Sequence, residues 1–210
     1  MIPLGLKESS RAGEVLGRAF HDDPLWSALL PDSEVRQTLL ARMFTAWIKT
    51  LAVAKGVAET TLRLQVVALW LPPGKDIGPW AMARSGFAMP RIVMTMPAQD
   101  RKRMMAIDRQ FRERRKKLMP DPYWYLMAIG VEPEHQGRGL GSALVRSGMR
   151  KADHDRTLIY LETETERNVG YYEHLGFEVI EEIEAIGLGF TVWLMIRSPR
   201  GSGSARNRQY

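Results

Sequence analysis

The stretch from residue 123 to residue 165 constrains this chain most. It opens with YWYLMAIGV, nine aromatic and aliphatic residues carrying no charge, which suits a buried central strand better than an edge strand. HQGRGLGS (135–142) follows, with glycines at 137, 139 and 141, and leads into an apolar-periodic segment reaching about Asp153. TLIYLETET (157–165) then reads as another strand. Strand, loop, helix and strand form one crossover unit, so the loop sits at the end of a buried strand and at the start of a helix.

Around this unit the pattern is mixed α+β. Residues 8–20 have helical spacing and stop at HDDP, where Pro24 disfavours a helical Asp23. A second helix starts with Asp32 or Ser33 as its cap and runs to Gly56. VAETT and RLQVVALWLPPG read as a strand or hairpin. Residues 78–96 suggest two short helices broken at Gly86 and Pro90, and residues 98–118 one long basic amphipathic helix. A short helix NVGYYEHL ends at Gly176, and FEVIEEIEAI and GFTVWLMIR read as a closing antiparallel pair. We expect one domain over residues 1–197 and a disordered, low-complexity tail over 198–210.

Composition removes several chemistries. With no cysteine there is no disulfide, thiolate metal site or cysteine nucleophile, which fits a reducing, cytoplasmic setting. The four histidines are scattered without metal-ligand spacing, so no metal is expected. No apolar run approaches the ~20 residues of a membrane span. The net charge of +6 is unevenly spread: residues 101–117 carry nine basic against two acidic residues, whereas 118–196 carry six against thirteen. The basic run places Met104, Met105, Ile107, Phe111 and Leu118 at helical spacing, as in an amphipathic helix with solvated cations. That reading disfavours nucleic acid as a partner.

The loop fits neither common nucleotide pattern. A dinucleotide fingerprint needs GxGxxG directly after its strand, and an NTPase loop needs Gly-Lys before Ser/Thr; Gly141-Ser142 offers no lysine. What remains is a set of backbone amides at a helix N-terminus, suited to a pyrophosphate. Gln136-x-x-Gly139-x-Gly141 after a buried strand resembles the acyl-CoA signature of the GCN5-related N-acetyltransferase (GNAT) superfamily. ETERNVGYYEHLGFEV, with its Asn, Tyr and LGF ending, resembles that family as well. AFHDDP (19–24) and ALWLPPG (68–74) extend the likeness loosely, and GVEPEHQGRGLGSALV is most like the puromycin N-acetyltransferase subgroup.

The resemblance implies a GNAT fold: a mostly antiparallel central sheet, two splayed parallel strands, and helices on both faces. It implies acetyl-CoA as co-substrate, held between strands 123–131 and 157–163. Backbone groups of Ile129, Gly130 and Val131 would pair with the pantetheine arm like an added strand. Gln136, Gly137, Arg138, Gly139, Leu140, Gly141 and Ser142 would hold the pyrophosphate, and Asn168 would contact the CoA arm unless it is only a helix cap.

The departing thiolate needs a proton, and the family's position for that acid is Tyr172; Tyr171 is the adjacent alternative, pointing about 100° away on the helix. Glu162 is the candidate base, with Glu164 on the same strand face and solvation as the bland reading of both. Asp22 and Asp23 either line the acceptor pocket or only end a helix, and Glu132 and Glu134 are expected in solvent. Without a cysteine, direct attack in a ternary complex is the simplest route. The acceptor is read as a small-molecule primary amine, with a protein or peptide amine as the alternative and a homodimer left open. A CoA-binding regulator without activity would not require Tyr172.

Overall fold

The computed structural model describes residues 1–120 and 122–200. Positions 201–210, the bulk of the expected tail, lie outside the described residues. Seven strands form one sheet: β1 (Ile2–Pro3), β2 (Val57–Thr60), β3 (Val66–Leu71), β4 (Tyr123–Val131), β5 (Leu158–Thr163), β6 (Glu178–Glu184) and β7 (Thr191–Arg197). Their order is β1-β2-β3-β4-β5-β7-β6. All neighbours are antiparallel except β4 and β5, the two ends of the crossover. This is the expected fold class. The closing pair β6–β7 is antiparallel as expected, with β7 lying between β5 and β6.

Helices α1 (Ser9–Ala19), α2 (Pro24–Leu29) and α3 (Ser33–Val53) cover one face, burying Leu16, Leu40 and Phe44 against Val67 and Leu69. Helices α1 and α3 pack closely because Gly13 has no Cβ; one there would lie 2.6 Å from the Ala41 carbonyl. Helices α4 (Pro79–Arg84) and α5 (Ala88–Met94) extend that layer. Pro90 does not break α5. It occupies the first turn, where a missing N–H costs no helical hydrogen bond.

The opposite face carries α7 (Leu140–Asp155) and α8 (Glu166–Glu173), whose Leu144, Val145 and Tyr172 pack on Val66, Ala68 and Leu126. Helix α6 (Ala98–Leu118) lies against the β5–β7 end of the sheet through Ile107, Phe111 and Leu118. Met105, assigned to the same apolar stripe, is instead 62% exposed.

One irregularity shapes the site. Strand β4 pairs Leu126 with Trp70 and Ala128 with Leu69, so Met127 is an extra residue, a β-bulge. The parallel pairing with β5 stops just before it, at Tyr125–Tyr160. Beyond that point the two strands separate. A bulge bends the strand that carries it, and here it lies where the sheet opens.

Candidate active site

The gap between β4 and β5 leads into a cavity of about 160 Å³. Its floor includes Leu126, Met127, Ala128 and Ile129 of β4 and Leu161 to Glu164 at the end of β5. Five aromatic side chains, Phe20, Trp26, Phe44, Trp47 and Phe111, line the side formed by α1–α3 and α6, and Tyr125 of β4 adds a sixth. Trp26, Phe44 and Trp47 make edge-to-face contacts with centroids 5.5–6.3 Å apart, so that wall is firmly packed.

Tyr172 is 7% exposed and lines this cavity. Its ring meets Tyr171 and Phe177 at 5.0 and 5.5 Å, while its hydroxyl makes no hydrogen bond among the described residues. Burial, then the nearby Tyr171 and Glu164, raise its pKa, which keeps the phenol protonated. Tyr171 points elsewhere. Its hydroxyl lies by the start of α7, 3.6 Å from where a Cβ on Gly141 would be. The neighbouring tyrosines therefore serve different regions, as their angular separation on a helix requires.

The glycine loop caps α7. Gly137 and Gly139 have φ of +74° and +75°, a conformation that a Cβ disfavours, with open space around both. Gly141 is different: it has ordinary φ, and a Cβ there would touch Val131 at 3.4 Å. The amides of Leu140, Gly141 and Ser142 occupy the first turn of α7 and have no carbonyl of that helix to bond. With the exposed Arg138 beside them, these groups fit an anionic diphosphate. The amide of Gln136 is already engaged, donating to the Pro133 carbonyl at 3.3 Å.

The other sequence-designated residues fall as follows. The Glu132 amide donates to Gln65 on the β3 side, so strand alternation turns the polar groups of Ile129 and Val131 toward the open β5 side. The Val131 carbonyl accepts from Gln136 Nε2 at 3.3 Å. Gly130 makes room for α1, since a Cβ would lie 2.7 Å from Ala19. Asn168 lines the cavity but does not cap α8; the helix begins two residues earlier and Thr165 Oγ1 accepts the Asn168 amide. Glu132 is not solvated but accepts from Arg18 Nε at 3.0 Å, with its side chain 15% exposed. Glu134 is 80% exposed, as expected.

Three carboxyls enter the cavity: Asp23, Glu162 and Glu164. Asp23 begins a helix instead of ending one, accepting the Leu25 and Trp26 amides at 3.0 and 3.3 Å while Pro24 fills N1. Asp22 stays outside, 92% exposed and paired with His21. The Glu162 side chain is only 6% exposed and sits 3.3 Å from Arg115 Nη1. Arg115 leaves the otherwise solvated basic helix to lie 4.3 Å above the Tyr125 ring. The periodicity of residues 98–118 gave no sign of this, because an arginine in a basic run looks like surface.

The environments of the three carboxyls differ. Burial pushes Asp23 up to about 6, against the pull of its two amides. Glu162 is also raised by burial, with Arg115 drawing it back. Glu164 is pushed well above the usual carboxylate range by burial and by the facing charges of Asp23 and Glu162. No group of His, Asp or Glu among the described residues is arranged to hold a metal, and no described helix is long and apolar enough to cross a membrane.

Residues 105–177 match the model of the Acetyltransferase (GNAT) family. An uncharacterized N-acetyltransferase of Schizosaccharomyces pombe is 28% identical over 178 residues, covering 81% of this chain and 71% of that protein. A mycothiol acetyltransferase of Saccharomonospora viridis matches at 33% over 63 residues, 29% of this chain and 21% of its own length. In fold, the chain is similar to a Corynebacterium glutamicum protein described as histone acetyltransferase HPA2 and related acetyltransferase, with TM-score 0.65, 24% identity and 97% coverage of both chains. It is also similar to arylalkylamine N-acetyltransferase 2 of Aedes aegypti, with TM-score 0.59, 16% identity, and 94% and 97% of the two chains covered.

Proposed function

We propose that this chain is an acetyl-CoA-dependent acetyltransferase of the GNAT kind, and that it acetylates the primary amine of a small molecule by direct attack within a ternary complex. The observation that carries the reading is Tyr172. It is a nine-tenths buried phenol whose hydroxyl is unpartnered, lining a cavity that holds three carboxyls. The acetyl thioester supplies the activated acyl group. The first-turn amides of α7 and Arg138 hold the diphosphate, and the open-side backbone of Ile129 and Val131 aligns the arm beside β4. Asn168 adds a polar contact where the cavity meets α8. Tyr172 gives its proton to the departing sulfur, a step worth ~10²–10⁴-fold.

A small acceptor suits a cavity of about 160 Å³ better than an extended chain does. Its aromatic wall and three carboxyls favour an amine with an apolar or aromatic body, recognised in the ammonium form. This agrees with the likeness of GVEPEHQGRGLGSALV to the puromycin N-acetyltransferase subgroup, and with the named acceptor class of the Aedes aegypti protein. The test is free-CoA release from the wild-type protein over a panel of puromycin, aryl-ethylamines, polyamines, aminoglycosides and lysine-bearing peptides. Turnover with small amines supports the reading, and turnover confined to peptides overturns it.

A further inference from the structure

The sequence nominates Glu162 as the base, with Glu164 on the same strand face, and the reading of amine acetylation does not decide between them. We propose that Glu164 is the group that takes the acceptor amine's proton, with Asp23 as its positioning partner across the cavity and Glu162 committed to Arg115. The inference rests on the proposed amine transfer and deepens it.

The two glutamates share a strand face and differ in what they touch. Glu162 is held: Arg115 lies at 3.3 Å, and its guanidinium is fixed in turn by stacking on Tyr125. A carboxylate that surrenders its charge there leaves a buried cation unpaired, which is costly. Glu164 stands one step beyond β5, at the bend before the Thr165 cap, and makes no ion pair among the described residues. It lines the same cavity as the unpartnered hydroxyl of Tyr172, near enough for its charge to raise that phenol. Asp23 is fixed by its cap bonds to α2 and lines the same cavity as Glu164.

The groups acting on Glu164 come from each element around it: Asp23 from the turn before α2, Glu162 from β5, Tyr172 from α8, and Arg115 of α6 through Glu162. Two half-buried carboxyls without a cation between them favour holding one shared proton and one negative charge. Such a pair attracts an ammonium group. Its raised proton affinity also brings it closer to an amine than an ordinary carboxylate would be, as a general base requires.

An ammonium N–H proton passes to the Glu164–Asp23 pair, and the freed nitrogen lone pair forms the N–C bond to the acetyl carbon. The C–S bond breaks, and the sulfur takes the Tyr172 proton. The phenolate regains a proton from the acylated nitrogen, and the carboxyl pair releases its own proton to solvent. One ammonium and one thioester become one amide, one thiol and one proton.

The test is the pH dependence of kcat/KM for E164Q, D23N and E162Q, using the best amine of the panel. Acetyl-CoA-induced thermal stabilisation serves as the control for folding and donor binding. We expect E164Q to lose ~10²-fold or more near pH 7, with kcat falling and acetyl-CoA binding intact, and to recover as pH approaches the amine's own pKa. D23N should shift the acid limb with a smaller loss. If the wild type is active and E164Q matches it, or if E162Q alone shows the base phenotype, the assignment is overturned. If the wild type acetylates no amine, the transfer reading fails and this one falls with it.

Discussion

Arg115 Nη1 lies 3.3 Å from the buried Glu162 carboxylate while its guanidinium covers the Tyr125 ring at 4.3 Å. A helix whose surface is almost wholly basic thus sends one cation through the wall of the cavity, where it holds β5 and β4 at the point where they part. Removing it would leave Glu162 charged and without a counterion. Arg115→Met should destabilise the protein by ~3–5 kcal/mol at neutral pH. Because burial raises Glu162, the deficit should shrink as the pH falls and the carboxyl protonates. Urea unfolding at pH 5 and 8 measures this, and the double variant Arg115→Met/Glu162→Gln should recover much of the loss.

Asp23 predicts a pH signature in stability. Its carboxyl is raised to about 6 when folded, so its favourable contribution is full below the unfolded value near ~3.9 and is lost as pH rises through about 6. Asparagine caps a helix as well as aspartate does, so Asp23→Asn keeps α2 and removes the buried charge. Its melting temperature should exceed that of the wild type at pH 8, and the gap should narrow at pH 5. Asp23→Ala, which also loses the cap, should be less stable than Asp23→Asn by about 1 kcal/mol.

Gly139 tests the loop. With φ of +75° and open space around it, a side chain there meets strain in the backbone and not a clash with neighbours. Gly139→Glu adds strain and a negative charge at the start of α7, where an anion is expected. Acetyl-CoA affinity by calorimetry should fall at least tenfold, while the apo protein loses only the ~1–2 kcal/mol of a side chain in the left-handed region.

Gly148 tests the opposite case. It lies on the α7 face that packs on β3, and a Cβ would sit 2.2 Å from the Trp70 ring. Trp70 is fully buried and cannot retreat. Gly148→Ala should therefore cost ~1–3 kcal/mol in urea unfolding, despite alanine's higher helix propensity.

Much of the fold is legible in the chain because local signals agree with it. The uncharged run 123–131 forms the central strand, Gly139 starts α7, and Asp32, one of two candidates, caps α3. The features that make the site are not local. The bulge at Met127 exists only in the register against β3, and Asp23 and Glu164 are far apart in sequence. Arg115 looked like surface because its neighbours are surface; no periodicity distinguishes a cation that turns inward. The alternative reading of Asn168 as a cap lies about one turn too late, because Thr165, whose side chain caps in the same way, holds the position.

The proposed proton donor is Tyr172, in the cavity between β4 and β5. Tyr172→Phe removes one oxygen and keeps the ring against Tyr171 and Phe177. The most direct measurement is CoA release by this variant beside the wild type on the same amine, with acetyl-CoA affinity measured in parallel. A fall of ~10²–10⁴-fold in turnover with unchanged affinity is predicted. Equal turnover in the two proteins would contradict it.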